Sequence, residues 1–182
     1  MSVAGDILAT WRHPGRVVRR RMGDTPREDR ALAVLMLACA LVFVAQWPRL
    51  ARLSFETGQE LNPLLGGALF AWLFIMPLVL YALGTLSHWL ARLAGGRGSA
   101  YGARFALFWA LLAASPLWLL WGLVAGFIGP GPALNAVGVV ALGAFVIFWA
   151  VGLVAAESGA GPDAGRGQGA GPAGQERARE TQ

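Results

Sequence analysis

Few residues in this chain have types and spacings that could do chemistry. Gly95-Gly96-Arg97-Gly98-Ser99 sets glycines beside a cation and a hydroxyl, the ingredients of a phosphate cradle. A phosphate-binding P-loop needs G-x-x-x-x-G-K-[ST] between a strand and a helix. Here the lysine is missing, the glycine spacing differs, and both flanks are long apolar runs. The stretch therefore reads as a turn, its glycines capping one helix and reversing the chain into the next. Glu56 and Glu60, four apart in S-F-E-T-G-Q-E-L-N-P, could share a helical face and attract a cation, but read as a solvated loop pair. His88 reads as a hydrogen-bonding residue near the end of an apolar run. His13 and His88 are the only histidines and have no cysteine at ligand spacing, so no zinc site is expected. Cys39 is the only cysteine, which rules out an intramolecular disulfide. With no Ser-His-Asp set, no carboxylate pair in a cleft and no metal cluster, the chain does not read as an enzyme, and no cofactor is expected.

The elements that hold these residues are set by composition. Of 182 residues, 56% are hydrophobic and 14% charged, against roughly a quarter charged in ordinary soluble domains. A hydrocarbon core about 30 Å thick takes about 20 apolar residues at 1.5 Å rise. Four stretches approach or pass that length: about 31–48, 64–89, 101–127 and 133–154. The fold class expected is an all-α, polytopic membrane helix bundle of four transmembrane helices. Trp47, Trp89, Tyr101 and Trp149 sit near the ends of these runs, where amphipathic rings prefer headgroup level. Trp72, Trp109, Trp118 and Trp121 lie deeper, as packing residues. Thirty residues precede the first run, so it does not read as a cleaved signal sequence.

Every basic residue is an arginine, and the fifteen of them are segregated. Seven precede the first run, two lie in 48–63, three in 87–104, none in 128–132 and three in the tail. Placing the amino segment in the cytoplasm puts thirteen inside and two outside, so the positive-inside rule predicts two cytoplasmic termini. Residues 1–30 form a basic amphipathic segment. Val3, Ile7, Leu8 and Trp11 recur at helical spacing, and Pro14 opens a second short helix with Val17, Val18 and Met22 along one side. Such a segment is expected to lie in the membrane interface. Arg16, Arg19, Arg20 and Arg21 there, with Arg92, Arg97 and Arg104 around the glycine turn, are expected to meet anionic lipid headgroups. No folded basic domain is present to read a groove, so nucleic acid is not an expected partner. Residues 155–182, rich in Gly, Ala and Pro with mixed charge, are expected to be a disordered cytoplasmic tail.

Inside a bilayer, close backbone approach and polar contacts must hold helices together. Gly102, Ala106, Ala110 and Ala114 place a small residue at every fourth position, and Gly122 and Gly126 resume the series beyond Pro116. The expectation is a packing stripe on one face, with Leu111 on a neighbouring face, where truncation should cost less if that face looks onto lipid. Pro77 and Pro116 are expected to kink their helices.

The run L-A-R-L-A-G-G-R-G-S at residues 90–99, followed by a helix carrying Ser115-Pro116, resembles the Yip family in its bacterial branch. The family also carries a leading segment to which Ile7, Leu8, Pro14, Val17 and Met22 are similar. The resemblance spans roughly residues 7–154 and implies a non-enzymatic integral protein of a bacterial inner membrane. Its implied role is membrane-organising or partner-binding, with a membrane protein or a second copy as partner. The family usually has five crossings, so four here would leave the carboxyl terminus in the cytoplasm. A small transporter or channel component is the alternative. No carboxylate lies inside any crossing, where a proton-coupled exporter would need one.

Overall fold

The computed structural model describes residues 3–23, 27–93, 95–96 and 98–158. The expectations for Arg97 and for all but the first residues of the tail fall outside them. The helices are α1 (Val3–Thr10), α2 (Pro14–Met22), α3 (Glu28–Thr57), α4 (Leu61–Phe70), α5 (Met76–Leu93), α6 (Ala100–Phe127) and α7 (Pro132–Glu157). A π-helical turn, Ala71–Ile75, joins α4 to α5 without a break. No strand occurs among the described residues. Among those residues, four helices are long and apolar enough to cross a membrane: α3, the continuous Leu61–Leu93, α6 and α7.

Local signals explain most boundaries. Glu28 and Asp29 open α3 with negative charge at its positive dipole end. Gly58, at φ 70°, closes it by donating its N–H to the Ser54 carbonyl. The Ser99 hydroxyl accepts from the Gly102 N–H at 3.1 Å and caps α6. Gly95 (φ 88°) and Gly96 end α5, donating to the carbonyls of Arg92 and Ala91 in a Schellman pattern. The glycine-rich stretch is thus a turn between two helices.

One expected boundary shifts markedly. The first apolar helix runs through Pro48 and ends nine residues later than the sequence suggested. Proline removes only one rung of the ladder, and the helix beyond it still has a side to bury, with Leu50 inside. As a result Glu56 is helical while Glu60 lies past the Gly58 cap, and the two share no helical face. Pro77 lies just past the π turn, where the Met76 N–H donates to the Ala71 carbonyl, five residues back. Pro116 lies within α6, which stays helical through it.

The bundle is built around α6. Helices α3 and α7 lie along it, α5 takes a third side, and the α1–α2 hairpin closes the rest, with α2 against α7 and α6. From Tyr101 to Ser115 every residue except Arg104 is buried. The remainder of α6 is only partly covered. Helix α7 and the α4–α5 crossing bury little of their surface, presenting Phe70, Phe74, Leu78, Val139 and Ile147 outward.

The stripe of small residues serves two partners rather than one face. Positions four apart advance about 40° around a helix of 3.6 residues per turn, so the series winds to the opposite side by residue 122. Gly102 and Ala106 meet Ala156 and Gly152 of α7, and Ala110 clusters with Phe148. Gly122 and Gly126 instead press on Ala45 and Pro48 of α3. Leu111, on the neighbouring face, does not look onto lipid: it is buried because the hairpin end of α6 is enclosed all round.

Candidate functional site at the hairpin end of the bundle

Charged groups converge where α6 begins, and the glycine turn does hold an anion. The anion belongs to the chain itself. Glu157, in the last turn of α7, places Oε2 2.7 Å from the Gly98 amide, which donates to it. Its Oε1 lies 3.1 Å from His88 Nδ1 on α5. Both side chains are nearly buried. The fit requires glycine: a Cβ at Gly98 would stand 2.7 Å from the Ala156 carbonyl oxygen and 2.8 Å from Glu157 Cα. One carboxylate therefore ties together the end of α5, the turn before α6 and the end of α7.

A second carboxylate closes the hairpin. Asp6 of α1 is 2% exposed and pairs with both Arg20 and Arg21 of α2, accepting from Arg21 Nε at 2.6 Å. Burial by itself would raise this carboxyl, but the Arg21 hydrogen bond and the charges of Arg21 and Arg20 outweigh it. Asp6 is held below the usual carboxylate range. The Arg21 guanidinium also lies over the Trp109 ring, 5.3 Å from its centroid. Trp109 Nε1 donates to Thr10 Oγ1 at 3.0 Å, and Thr10 donates to the Asp6 carbonyl at 2.7 Å. Trp109 lies nine residues into α6, about 14 Å along it, so the hairpin seals a substantial length of the central helix. A third pair, Arg104 with Glu28, joins α6 to the start of α3, and the same guanidinium lies 5.8 Å from the Tyr81 ring centroid.

The arginines chosen from the sequence divide accordingly. Arg20, Arg21 and Arg104 each hold a carboxylate of the chain, while Arg16, Arg19 and Arg92 are exposed without such a pair among the described residues. The apolar residues of the amino segment also divide. Val17 and Val18 enter the core, whereas Val3, Leu8 and Trp11 stay exposed, with Trp11 edge-on to Phe148 at 5.2 Å. Sequence reasoning passed over Asp6, Thr10, Glu28 and Glu157. A signal existed for Asp6, a lone acid in an otherwise apolar helical segment followed by an arginine cluster.

Chemically this is a set of closed pairs. Each carboxylate here is met by a cation, an imidazole or a backbone N–H, and none stands free beside a nucleophile. No group of three or more His, Cys, Asp or Glu residues placed to hold a metal ion occurs among the described residues. No curated protein and no solved structure matches the chain. The model of the Yip1 domain matches residues 8–164, from α1 through all four apolar helices and past the Glu157 contact. This chain belongs to the Yip1 domain family.

Proposed function

We propose that this Yip1-family membrane protein is a non-enzymatic, membrane-organising protein of a bacterial inner membrane, with both termini cytoplasmic. Yip1 is not a known enzyme family. One observation carries the reading: the α1–α2 hairpin is locked to the bundle on one side and open on the other. Its inner side turns Asp6, Thr10, Val17 and Val18 toward α6 and α7. Exposed on the hairpin are Val3, Leu8 and Trp11, the last with one edge on Phe148 of α7, together with Arg12, Arg16 and Arg19. Apolar residues rimmed by arginine suit the boundary between acyl chains and anionic headgroups. A wedge held there by α6 and α7 would spread one leaflet and present a basic rim to a membrane-protein partner or a second copy.

A nitroxide at Leu8→Cys in full-length protein, with Cys39→Ala, tests this in vesicles of mixed neutral and anionic lipid. Oxygen should relax the label more than a water-soluble nickel chelate does, and salt should leave its depth unchanged because the bundle fixes it. Preferential relaxation by the nickel chelate would leave the hairpin in water and overturn the reading. For orientation, alkaline phosphatase fused after Thr181 should be inactive and active near Thr57. An active carboxyl-terminal fusion would require a further crossing.

A further inference from the structure

At the opposite end of the bundle, α3 overshoots Pro48 and stands beside the end of α6. Arg52 is fixed there from three directions. Its Nε donates to Glu56 Oε1 at 2.6 Å and its Nη1 to the Gly126 carbonyl at 3.4 Å. Its guanidinium lies over Gly129, where φ is +92° and a Cβ would stand 2.5 Å from Cζ. A side chain at Gly129 would displace the arginine, so the turn between α6 and α7 is shaped to seat it.

Two grooves meet at this pair. One, of about 470 Å³, is lined by Pro48, Ala51, Phe55, Gly126 and Phe127 together with Arg52 and Glu56. The other, of about 180 Å³, is lined by Arg49, Leu53, Trp121, Ala125, Pro130 and Leu134, again with Arg52 and Glu56. The last turns of α6 separate them. Phe55 and Phe127, at 91% and 79% exposed, stand open at the first groove. One anion, Glu56, and two cations, Arg52 and the Arg49 that donates to Gln46, thus stand beside two apolar channels at the end of a membrane-spanning helix.

We infer that Arg52 and Glu56 bind the headgroup of one diacyl phospholipid bearing a primary ammonium, a phosphatidylethanolamine, with one acyl chain in each groove. The guanidinium has N–H donors beyond the two it uses within the chain, and planar arginine suits phosphate oxygens. Glu56 keeps a second oxygen for the ammonium. Cβ atoms four apart on a helix are about 5–6 Å apart, so the two side chains, in contact here at 2.6 Å, can part to take the phosphate on one and the ammonium on the other. A phosphatidylglycerol would leave Glu56 facing an anion's hydroxyls, and a phosphatidylcholine would bring it a cation without N–H donors.

Native mass spectrometry of the full chain in detergent tests this, with dioleoyl phosphatidylethanolamine, phosphatidylcholine and phosphatidylglycerol added at equal concentration. The parent should retain phosphatidylethanolamine about threefold or more over the others, as one charge-assisted contact implies. Glu56→Gln should bring that ratio to about one while total lipid bound persists, and Gly129→Ala should lower retention of all three. Equal retention of the three lipids by the parent would overturn the inference without any variant. So would a headgroup ratio unchanged in Glu56→Gln. The measurement is independent of where the hairpin lies in the bilayer.

Discussion

The indole of Trp109 and the hydroxyl of Thr10 meet at 3.0 Å across ninety-nine positions of chain, the tryptophan donating. Both groups are buried. The bond joins the first helix to the middle of the central one. Removing the acceptor strands a buried N–H, which costs about 1–3 kcal/mol. Thr10→Val keeps the shape and removes the oxygen. It should lower the melting temperature in detergent and raise protease cleavage between α2 and α3, whereas Thr10→Ser should restore most of both.

Asp6 makes the hairpin's docking sensitive to acid. Its carboxyl is held below its ordinary value in the folded chain. The stability it contributes is therefore complete above the unfolded value, about 3.9, and is lost as pH falls through the folded value. Protease protection of the α1–α2 segment should be constant from pH 7 to about pH 5 and fall below about pH 4. Asp6→Asn should lower protection at pH 7 and remove that acid step.

The Glu157 contact predicts an order of severity. Gly98→Ala sets a methyl against the Ala156 carbonyl and Glu157 Cα, and overpacking of this kind costs about 1–3 kcal/mol. Glu157→Gln keeps an acceptor for the Gly98 N–H and should cost less. Thermal unfolding of the two variants in one detergent checks the ranking. A Gly98→Ala protein as stable as the parent would mean that the turn yields freely.

Glycines of the apolar helices should respond unequally to one added methyl. A Cβ at Gly122 falls against the Ala45 carbonyl, within 2.7 Å of its carbon, so Gly122→Ala must part α3 from α6. Ala110→Leu must part α6 from Phe148. Both should destabilise by about 1–3 kcal/mol. Gly66 has nothing within 4 Å of such a methyl, so Gly66→Ala should be neutral or stabilise by up to about 1 kcal/mol through helix propensity. Leu111→Ala, in the enclosed half of α6, should cost about 2–5 kcal/mol.

What the sequence made legible was whatever is local. Length and apolarity mark four helices, and Gly95-Gly96 a helix end. The small-residue series was visible too, but its meaning depended on rotation, and steps of four carry Gly122 to the far side of Gly102. The end of the first apolar run misled, because one hydrogen bond lost at Pro48 does not end a helix whose next turns still bury Leu50. Asp6, Glu28 and Glu157 were not legible as a set. Glu28 and Glu157 sit just outside apolar runs, where solvent is the default environment, and Asp6 lies in a short helix well before the first of them. Only the closing of the hairpin, the docking of α3 on α6 and the meeting of the ends of α5 and α7 bring them to partners 14, 76 and 69 positions away.

The π turn at Ala71–Ile75 sets the rotational phase of a whole crossing. Before it, α4 and the turn lie against α3; after it, α5 lies mainly against α6. That turn accommodates one residue more than an α-helix would use. Deleting Trp72 or Leu73 would restore an α-helical register or else swing everything downstream by about 100° relative to α4. Where α4 keeps its seat on α3, Pro77, Leu80 and Gly84 would leave their buried positions, and His88 would turn away from Glu157. The crossing thus behaves as a gear whose tooth count is fixed: substitutions along its exposed faces are tolerated, while a single-residue deletion should uncouple the last turn of α7 from α5.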